Sequence, residues 1–546
     1  MTESAPVRTR LLDPLASRIF MMVWIANMAS NVGTQIQSVG EKWQMAHLTS
    51  SPLLVALIET GTTLPVLLLG LSAGALADIV DRRRLLLGTQ VFMLGCAGLL
   101  SGLTFLHQIT PMVLLVMSFL IGTGSALSMP AFQAIVPELL DREHLAGGVA
   151  LNSAGFNVSR ALGPALGGLV VGLLGAGWAF ALNAVSFLAV VAVLASWERR
   201  PSRSSLPGER FLGALKVGYR YARHSRPFQI ILLRALGYSW FAGVIFSLLP
   251  SLAILNLHLG SEAFGALMGC VGAGAVAGVF FLGPLRERFG TSTILAGYSL
   301  LAALCQGVMA YVPHTPTVAL CLFFSGVSWL GILSTINTAI QLSVPPWVKA
   351  RAFGTYHTVW GGAMALGAAF WGALAQRAGI RATMGLSALG MVLALAALHR
   401  LRITAFDEDL DLGPHHDAPH APTAIPPEAG PILVQMEYRV LPERRERFLA
   451  AMEEVRRLRM RDGAMRWALF EEPDRPGSPR FLESWFSSTM GEHLRQHHRA
   501  TAQDRAVLAA AYAQVEDGLP ETRHLVVVED HDSSLLQRIW QGWTGE

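Results

Sequence analysis

Gly74-Ala75-Leu76-Ala77-Asp78-Ile79-Val80-Asp81-Arg82-Arg83-Arg84 places two acidic and three basic side chains between two long apolar runs. The runs, residues 53–77 and 85–106, are each long enough to cross the hydrocarbon core of a bilayer, which takes about 20 apolar residues in a helix. The charged stretch therefore lies at a membrane face. Because short loops rich in arginine resist translocation, we expect this face to be cytoplasmic.

The composition places most of the chain in the membrane class. Hydrophobic residues make up 52% of the 546 residues and charged residues only 15%, whereas a soluble domain has about 25% charged residues. We attribute the net charge of +4 to basic loops and not to nucleic-acid binding. The polar segment up to Ser17 predicts no signal peptide. Four cysteines inside apolar runs lack ligand spacing and predict neither disulfides nor a metal site: Cys96, Cys270, Cys305 and Cys321.

Twelve apolar runs predict an all-α polytopic membrane protein with twelve transmembrane helices. The runs cover residues 19–46, 53–77, 85–106, 111–136, 146–174, 177–196, 228–256, 263–284, 291–312, 316–344, 352–375 and 381–400. Lysine and arginine fall in alternate loops, apart from Arg377 and Arg381. By the positive-inside rule, we expect a multi-pass protein of the cell membrane with both termini in the cytoplasm.

The longest loop between runs divides the helices into two groups of six. This loop, residues 201–226, separates an N-terminal half (1–200) from a C-terminal half (227–404). The pattern Gly74-x-Leu76-x-Asp78-x-x-Asp81 recurs in the second half as Gly283-x-Leu285-x-Glu287-x-x-Gly290. Repeated halves with a site between them near the midplane are typical of secondary transporters, in which one half rocks against the other.

The charged stretch also carries a family resemblance. Gly74-x-Leu76-Ala77-Asp78-x-x-x-Arg82-Arg83 resembles the signature loop between the second and third helices of the major facilitator superfamily. Residues 130–137, 151–153 and 160–168 resemble the enterobactin-exporter-like branch, the transmembrane secretion effectors. Asp81 departs from the glycine usual in the signature. The resemblance implies a transporter with alternating access.

We predict a cytoplasmic gate in the signature loop, and the alternative is a solvated loop that only sets topology. Asp78 could pair with arginines or cap a neighbouring helix, where backbone donors favour a carboxylate. Such contacts would close the cytoplasmic side. The predicted gate residues are Gly74, Asp78, Asp81, Arg82 and Arg83.

Polar residues of the first run fall on one helical face and predict a proton or substrate pathway. They are Asn27, Asn31, Thr34, Gln35, Ser38, Glu41 and Lys42. Ionisable residues within the membrane usually mark ion paths or pair with each other. Glu59 in the second run is the leading candidate for the proton carrier, whereas Lys42 could instead snorkel to the interface.

Arg160 lies deep in the fifth run and needs a partner. It could pair with Glu41 or Glu59, attract an anionic substrate group, or bind backbone carbonyls of a neighbouring helix. Beyond it, small residues recur every four positions, and Pro164 predicts a bend. This stretch resembles the antiporter motif of the superfamily and implies export; its motif residues are Gly163, Pro164, Gly167 and Gly168.

The second half offers fewer polar candidates. Arg234, Asn337, Gln341 and His357 are its polar members. Aromatic residues could line a greasy cavity or face lipid: Trp240, Trp329, Tyr356 and Trp360. The predicted pathway therefore includes Arg234, Asn337, Gln341 and Trp360 beside the acidic groups of the first half.

The composition changes abruptly after Leu401. Residues 405–431 read as a linker rich in proline and histidine, and 432–530 predict a small α+β domain in β-α-β-β-α-β order, which is ferredoxin-like. The domain resembles dimeric α/β barrels related to antibiotic-biosynthesis monooxygenases, which implies a possible homodimer. His493 and His497 have metal-ligand spacing, but we favour a polar helix face or a dimer contact. Residues 531–546 predict an amphipathic tail.

These patterns predict a proton-coupled exporter of amphipathic small molecules such as siderophores or drugs. No phosphate-binding Gly-x-x-x-x-Gly-Lys loop occurs in the sequence, so we expect the proton, and no bound cofactor, to drive transport. The expected partners are a small-molecule substrate and the lipid bilayer, without nucleic acid. The alternative is a membrane-anchored enzyme or ligand sensor that acts through the C-terminal domain.

Overall fold

The computed structural model describes most of the chain. It describes residues 12–141, 144–197, 211–312, 314–345, 347–403, 425–426, 428–472, 480–499, 501–516 and 521–527. Within these ranges it leaves out the side chains of residues 71, 74, 75, 77–79, 134, 137, 146, 150, 153, 157, 161, 211–217, 350, 497–499, 502, 503 and 521. Most of the predicted linker and the whole predicted tail therefore lie outside the described residues.

The first half consists of six long helices. They are α1 (Arg18–Leu48), α2 (Pro52–Ile79), α3 (Arg82–Phe105), α4 (Pro111–Leu139), α5 (Leu145–Leu174) and α6 (Ala176–Ser196). Ser51 and Thr110 begin α2 and α4 by accepting hydrogen bonds from backbone N–H groups of the first turn. Pro52 and Pro111 follow at the first helical position, where a missing N–H is not needed.

A shorter helix, α7 (Phe211–His224), precedes the second half and lies within the predicted loop. The helices that follow are α8 (Arg226–Ser251), α9 (Ser261–Arg288), α10 (Thr291–Tyr311), α11 (Thr315–Ser343), α12 (Lys349–Ala378) and α13 (Ile380–Leu398). Only Ser225 separates α7 from α8. A π-helical turn, Leu252–Asn256, extends α8 just after Pro250, where a proline removes a backbone hydrogen bond.

The predicted spans coincide with helices α1–α6 and α8–α13. Among the described residues, eleven helices are long and apolar enough to cross a membrane. The twelfth, α1, has comparable length but carries the polar face that includes Glu41 and Lys42. The apolar runs thus locate the membrane helices because uninterrupted apolar length is what a bilayer requires.

Two compact units make up the chain. The first contains the membrane helices up to Ile403, apart from residues 215–229 and 341–352. The second contains those two segments together with the C-terminal region from Thr404. Helix α7 from residue 215 onward and the segment between α11 and α12 therefore group with the C-terminal region.

The C-terminal region contains a four-stranded antiparallel sheet in the order β2-β3-β1-β4. Its elements are β1 (Ile432–Arg439), α14 (Arg445–Asp462), β2 (Met465–Glu472), β3 (Arg480–Ser487), α15 (Met490–Arg499), α16 (Ala502–Tyr512) and β4 (Glu521–Val526). The elements follow the order β-α-β-β-α-β, with the second helical region divided into α15 and α16. Alternate residues of β1, including Val434 and Tyr438, join Phe448 and Trp485 in the core. Thr501 begins α16 through a capping box, which explains the predicted break near residue 500.

Candidate functional site

Aromatic side chains of the second half form one cluster inside the membrane unit. The ring of Trp329 on α11 lies 4.6 Å from Phe246, 6.2 Å from Tyr238 and 5.4 Å from Trp360. Tyr356 lies 5.8 Å from Trp360 on the same helix, α12. Tyr238, Tyr356 and Trp360 are buried. We call these five residues the aromatic cluster.

Arg160 brings the first half into contact with the aromatic cluster. Its guanidinium carbon lies 6.0 Å from the centre of the Trp329 ring and 5.4 Å from that of Phe156. Both distances are typical of cation–π contacts. Because Arg160 belongs to α5 and Trp329 to α11, the site lies where the two halves meet.

Two of the pathway residues predicted in the second half have a buried polar atom without a hydrogen-bond partner among the described residues. They are Nε1 of Trp360 and Oδ1 of Asn337. By contrast, Nε1 of Trp371 donates to the carbonyl of Trp240 at 3.0 Å. The ring of Trp240 packs beside that of Phe370, with their centres 5.8 Å apart, whereas Trp360 keeps an unused donor within the aromatic cluster.

The remaining second-half candidates lie in different settings. His357 lies 5.0 Å from the Tyr356 ring, and Gln341 is exposed. The guanidinium of Arg234 donates to the carbonyls of Leu398 and Leu401 at 3.2 and 2.7 Å. Arginine at a helix C-terminus satisfies carbonyls that lack helical partners. Arg234 thus caps α13 from α8.

Two carboxylates of the first half have contrasting partners. Nζ of Lys42 on α1 lies 2.5 Å from Oε2 of Glu59 on α2, and both side chains are largely buried. Glu41 is 2% exposed and accepts a hydrogen bond from Nε2 of Gln37 at 2.6 Å. The second carboxyl oxygen of Glu41 has no hydrogen-bond partner among the described residues.

A chain of amides holds Glu41 in place. Nδ2 of Asn183 on α6 donates to Oε1 of Gln37 at 2.7 Å, and Ser186 donates to Oδ1 of Asn183 at 3.0 Å. The sequence reasoning did not identify Gln37, Asn183 or Ser186. The signal was present, because Asn183 is an isolated amide within an apolar run, where buried polar groups need partners.

The other polar residues of α1 face different neighbours. Nδ2 of Asn27 lies 3.5 Å from Oδ1 of Asn152 on α5, and Asn31 is partly buried. Gln35 packs against Gly163, where an added Cβ would overlap its side chain. The polar residues predicted on one face of α1 therefore contact, directly or through a neighbouring amide, three different helices, α2, α5 and α6.

The predicted antiporter-like motif forms two close helix contacts. Gly167 packs against Ile36 and Val39 of α1, and an added Cβ would lie 3.0 Å from both. Gly168 meets the backbone of Gly265 on α9, so that an added Cβ on either glycine would overlap the other helix. Pro164 lies inside α5, one turn before these contacts. Through this motif, α5 contacts α1 of its own half and α9 of the second half.

Further contacts close one end of the membrane unit, opposite the Asp81–Arg84 loop. The rings of Trp43 and Phe264 stack at 4.6 Å, which joins α1 to α9. Oγ of Ser51 donates to Gln376 at 2.7 Å, which joins α2 to α12. The two halves are therefore packed together at this end.

The described side chains of the signature loop bind helices of their own half. Asp81 caps α3 by accepting from the backbone N–H of Arg84 at 2.9 Å. Arg82 pairs with Glu138 on α4 at 2.8 Å, and Arg83 donates to the carbonyls that end α6. The side chain of Asp78 and the detail around Gly74 lie outside the described residues, so the predicted gate stays a prediction.

The C-terminal domain encloses a second ionic group. The fully buried Glu483 carboxylate accepts from Tyr438 at 2.5 Å and from Trp467 at 2.8 Å, and it pairs with Arg459 at 3.3 Å. Burial alone would lower the pKa of Arg459, but the Glu483 carboxylate raises it, so this arginine stays charged. Burial and the same carboxylate raise the pKa of Tyr438.

His493 has a partner that the sequence spacing did not indicate. Its Nε2 lies 2.8 Å from Nε2 of His524 on β4, and burial lowers the pKa of His524. The side chain of His497 lies outside the described residues. The described residues contain no group of three or more potential metal ligands.

Two six-helix halves, with an aromatic cluster and charged groups at their junction, define a secondary membrane transporter of the major facilitator type. The chain belongs to the transmembrane secretion effector family, whose sequence model matches residues 9–532. It is therefore a multi-pass membrane transporter, and the family is one of transporters rather than enzymes.

Characterised relatives and solved structures agree with this assignment. The chain is 26% identical to the enterobactin exporter EntS of Citrobacter koseri, over 68% of this chain and 89% of that protein. It is 24% identical to the multidrug efflux pump Tap of Mycolicibacterium fortuitum, over 71% and 97%. A bacterial Spinster homologue in an inward-facing conformation shares the fold, with a TM-score of 0.59 and 16% identity over 72% of this chain and 98% of that one.

Proposed function

We propose that this protein is a proton-coupled exporter of amphipathic small molecules. The observation that carries the proposal is the contact between Arg160 of one half and the aromatic cluster of the other. Transporters of this architecture bind substrate between their halves and expose the site alternately to each side. The names of the relatives, an enterobactin exporter and a multidrug efflux pump, support siderophores or drugs as substrates.

The packed end of the membrane unit fits one stage of such a cycle. The contacts of Trp43 with Phe264 and of Gly168 with Gly265 hold the halves together opposite the Asp81–Arg84 loop. Release of these contacts would open the site at that end. The positive-inside rule supports placing the arginine loop and both termini in the cytoplasm, so the packed end would face outward from the cell membrane.

For the proton carrier, the geometry favours Glu41 over Glu59. Glu59 already has a counter-ion, because it pairs with the Lys42 ammonium at 2.5 Å. Glu41 contacts an amide and keeps one oxygen unpartnered, a setting in which an isolated charge is costly and a proton is readily accepted. We propose that Glu41 carries the proton and that Gln37 and Asn183 position it.

The C-terminal sheet supports a dimer as a further part of the proposal. Its face turned away from the helices carries Phe470, which is 55% exposed, and Leu525, which is 48% exposed. Leu433 neighbours Phe486 and Leu525 across the strands of the same face. An exposed apolar sheet face favours pairing with a second copy. Light scattering of the purified protein, compared with a Phe470→Glu variant, tests the oligomeric state.

Proteoliposomes that contain the purified chain and an internal pH dye test the exporter proposal. A panel of amphipathic compounds, including siderophores and drugs, is applied to wild type and to the Glu41→Gln and Glu59→Gln variants. We expect at least one compound to move protons through wild type but not through Glu41→Gln. Loss of flux only in Glu59→Gln would assign the proton to Glu59, and no flux with any compound would contradict proton coupling.

A further inference from the structure

We infer that the Arg160 site binds the acidic group of an aromatic substrate, such as an aromatic carboxylate. The inference rests on the proposed function, because it assigns a substrate class to the same site. It depends on three features of that site: an arginine without an anionic partner, a spare indole N–H, and aromatic walls from the opposite half.

The first feature is the charge of Arg160. Arginine stays protonated in proteins and carries five N–H donors in the plane of the guanidinium. Arg160 lies near the middle of the 30-residue helix α5, where an uncompensated charge is costly. Its guanidinium carbon lies over the rings of Phe156 and Trp329, and these ring contacts supply no acidic partner for its N–H groups.

The nearby carboxylates already have other partners. Glu59 pairs with Lys42 at 2.5 Å, and Glu41 binds Gln37 at 2.6 Å. Among the described side chains, none forms an ion pair or a hydrogen bond with Arg160. An anion supplied by the substrate would meet this need, and a planar carboxylate matches the fork of arginine donors.

The second feature is the indole N–H of Trp360. This group is buried, has no described acceptor, and belongs to a ring 5.4 Å from Trp329. A buried donor without an acceptor is costly, and most such groups in proteins are satisfied. A ligand that supplies an acceptor would satisfy Trp360 and Arg160 together.

The third feature, the aromatic walls, indicates that the rest of the ligand is aromatic. Tyr238, Phe246 and Trp329 provide ring faces and edges within one cluster. Aromatic ligands pack favourably against such rings through stacked or edge-to-face contacts. An organic cation is disfavoured because Arg160 would repel it. Sulfonates share the required chemistry with carboxylates, and the test includes one.

Binding of matched acid and neutral probes to the full-length chain in lipid nanodiscs tests the inference. Isothermal titration calorimetry compares 2-naphthoate, 2-naphthalenesulfonate and the neutral 2-naphthamide. We expect wild type to bind one or both acids about tenfold or more tightly than the amide, the ratio typical of a hydrogen bond to a charged group. Which acid binds better separates carboxylate from sulfonate recognition.

Variants test whether Arg160 and Trp360 cause the preference for the acids over the amide. Arg160→Gln should bring the acid-to-amide ratio close to one, and Arg160→Lys should retain part of it. Trp360→Phe keeps an aromatic ring but removes the N–H, and should weaken acid binding severalfold. Arg286→Gln removes a second-half arginine outside the site, one that donates to Ser334 at 3.0 Å, and should leave the ratio unchanged. Size-exclusion profiles and thermal unfolding establish that each variant is folded.

Several outcomes would overturn the inference. Equal binding of acid and amide by wild type is one, and an acid preference that persists in Arg160→Gln is another. If that persisting preference were accompanied by lost proton flux with neutral compounds in Arg160→Gln, Arg160 would be assigned to proton coupling instead. These results are distinct from failure of the exporter proposal, in which no compound of any charge moves protons through wild type.

Discussion

The ammonium group of Lys42 lies 2.5 Å from the carboxylate of Glu59 and joins α1 to α2 within the membrane unit. Neighbouring Glu41 instead joins α1 to α6 through Gln37 and Asn183. Two adjacent residues of one helix thus bring two carboxylates into opposite settings, one with a counter-ion and one without. This difference is the basis for proposing Glu41, and not Glu59, as the proton carrier.

Replacing Glu59 alone should destabilise the protein more than replacing both Lys42 and Glu59. Glu59→Gln leaves a buried ammonium without its counter-ion, and we expect a loss of about 3 kcal/mol in unfolding free energy. The double variant Lys42→Met with Glu59→Gln should recover most of this loss. Unfolding of the purified chain in mixed detergent micelles measures both. Equal losses in the single and double variants would contradict an ion pair.

The contact between Gly168 and Gly265 should tolerate no side chain. Gly168→Ala would place a Cβ within the backbone of Gly265 and force α5 and α9 apart. We expect a stability loss of about 1–3 kcal/mol and reduced transport, because the packed end of the unit would no longer close. Thermal unfolding and the proteoliposome assay measure the two effects.

Gly95→Ala on α3 is the matched control for Gly168→Ala. Nothing lies within 4 Å of a Cβ added at Gly95, and alanine favours the helix by about 0.5–1 kcal/mol over glycine. This variant should be as stable as wild type or more so. If Gly168→Ala were also as stable as wild type, this result would contradict the close contact between α5 and α9.

The membrane helices and the C-terminal strands followed from sequence, but most side-chain partners did not. Uninterrupted apolar runs and alternating strands are local patterns, and each determines its element directly. The partner of Glu59 is Lys42 on another helix, and the partner of His493 is His524 on a strand that the sheet brings near. Such pairs depend on packing between elements distant in sequence, which local spacing does not contain.

Helix α7 is an element that counting apolar residues does not predict. Its residues, Phe211–His224, mix apolar and basic side chains, so that the segment reads as a charged loop when only apolar length is counted. Arg160 lies near the middle of α5, but its aromatic surroundings come from α8, α11 and α12. Only the fold could show that Trp329 and Trp360 share one site.

The pair of His493 and His524 should make the C-terminal domain sensitive to acid. Burial lowers the pKa of His524, so the folded state favours the neutral ring, whereas the unfolded chain takes up a proton near pH 6.5. The resulting stability is present above about pH 6.5 and is lost as pH falls through that value towards the lowered pKa. Protonation of both rings would also break their hydrogen bond.

Hydrogen exchange of the full-length chain measures this acid sensitivity. After correction for intrinsic rates, peptides of α15 and β4 should lose protection between pH 7.5 and 5.5, while those of α1 should not. His524→Leu should reduce the change. Identical protection of α15 and β4 at both pH values would show that the pair does not titrate in this range.

The last prediction concerns the tie between α7 and the C-terminal domain, which belong to one compact unit. Nη1 of Arg220 donates to the carbonyl of Gly463 at 2.9 Å, where α14 ends. A cation at a helix C-terminus is stabilising because it meets the negative end of the helix dipole. Because α7 leads into α8 through Ser225 alone, this contact links the domain to the start of the second half. Arg220→Gln should speed hydrogen exchange at residues 459–465, whereas Arg223→Gln, which changes an exposed residue of the same helix, should not. Equal exchange rates in both variants would show that this hydrogen bond does not stabilise the end of α14.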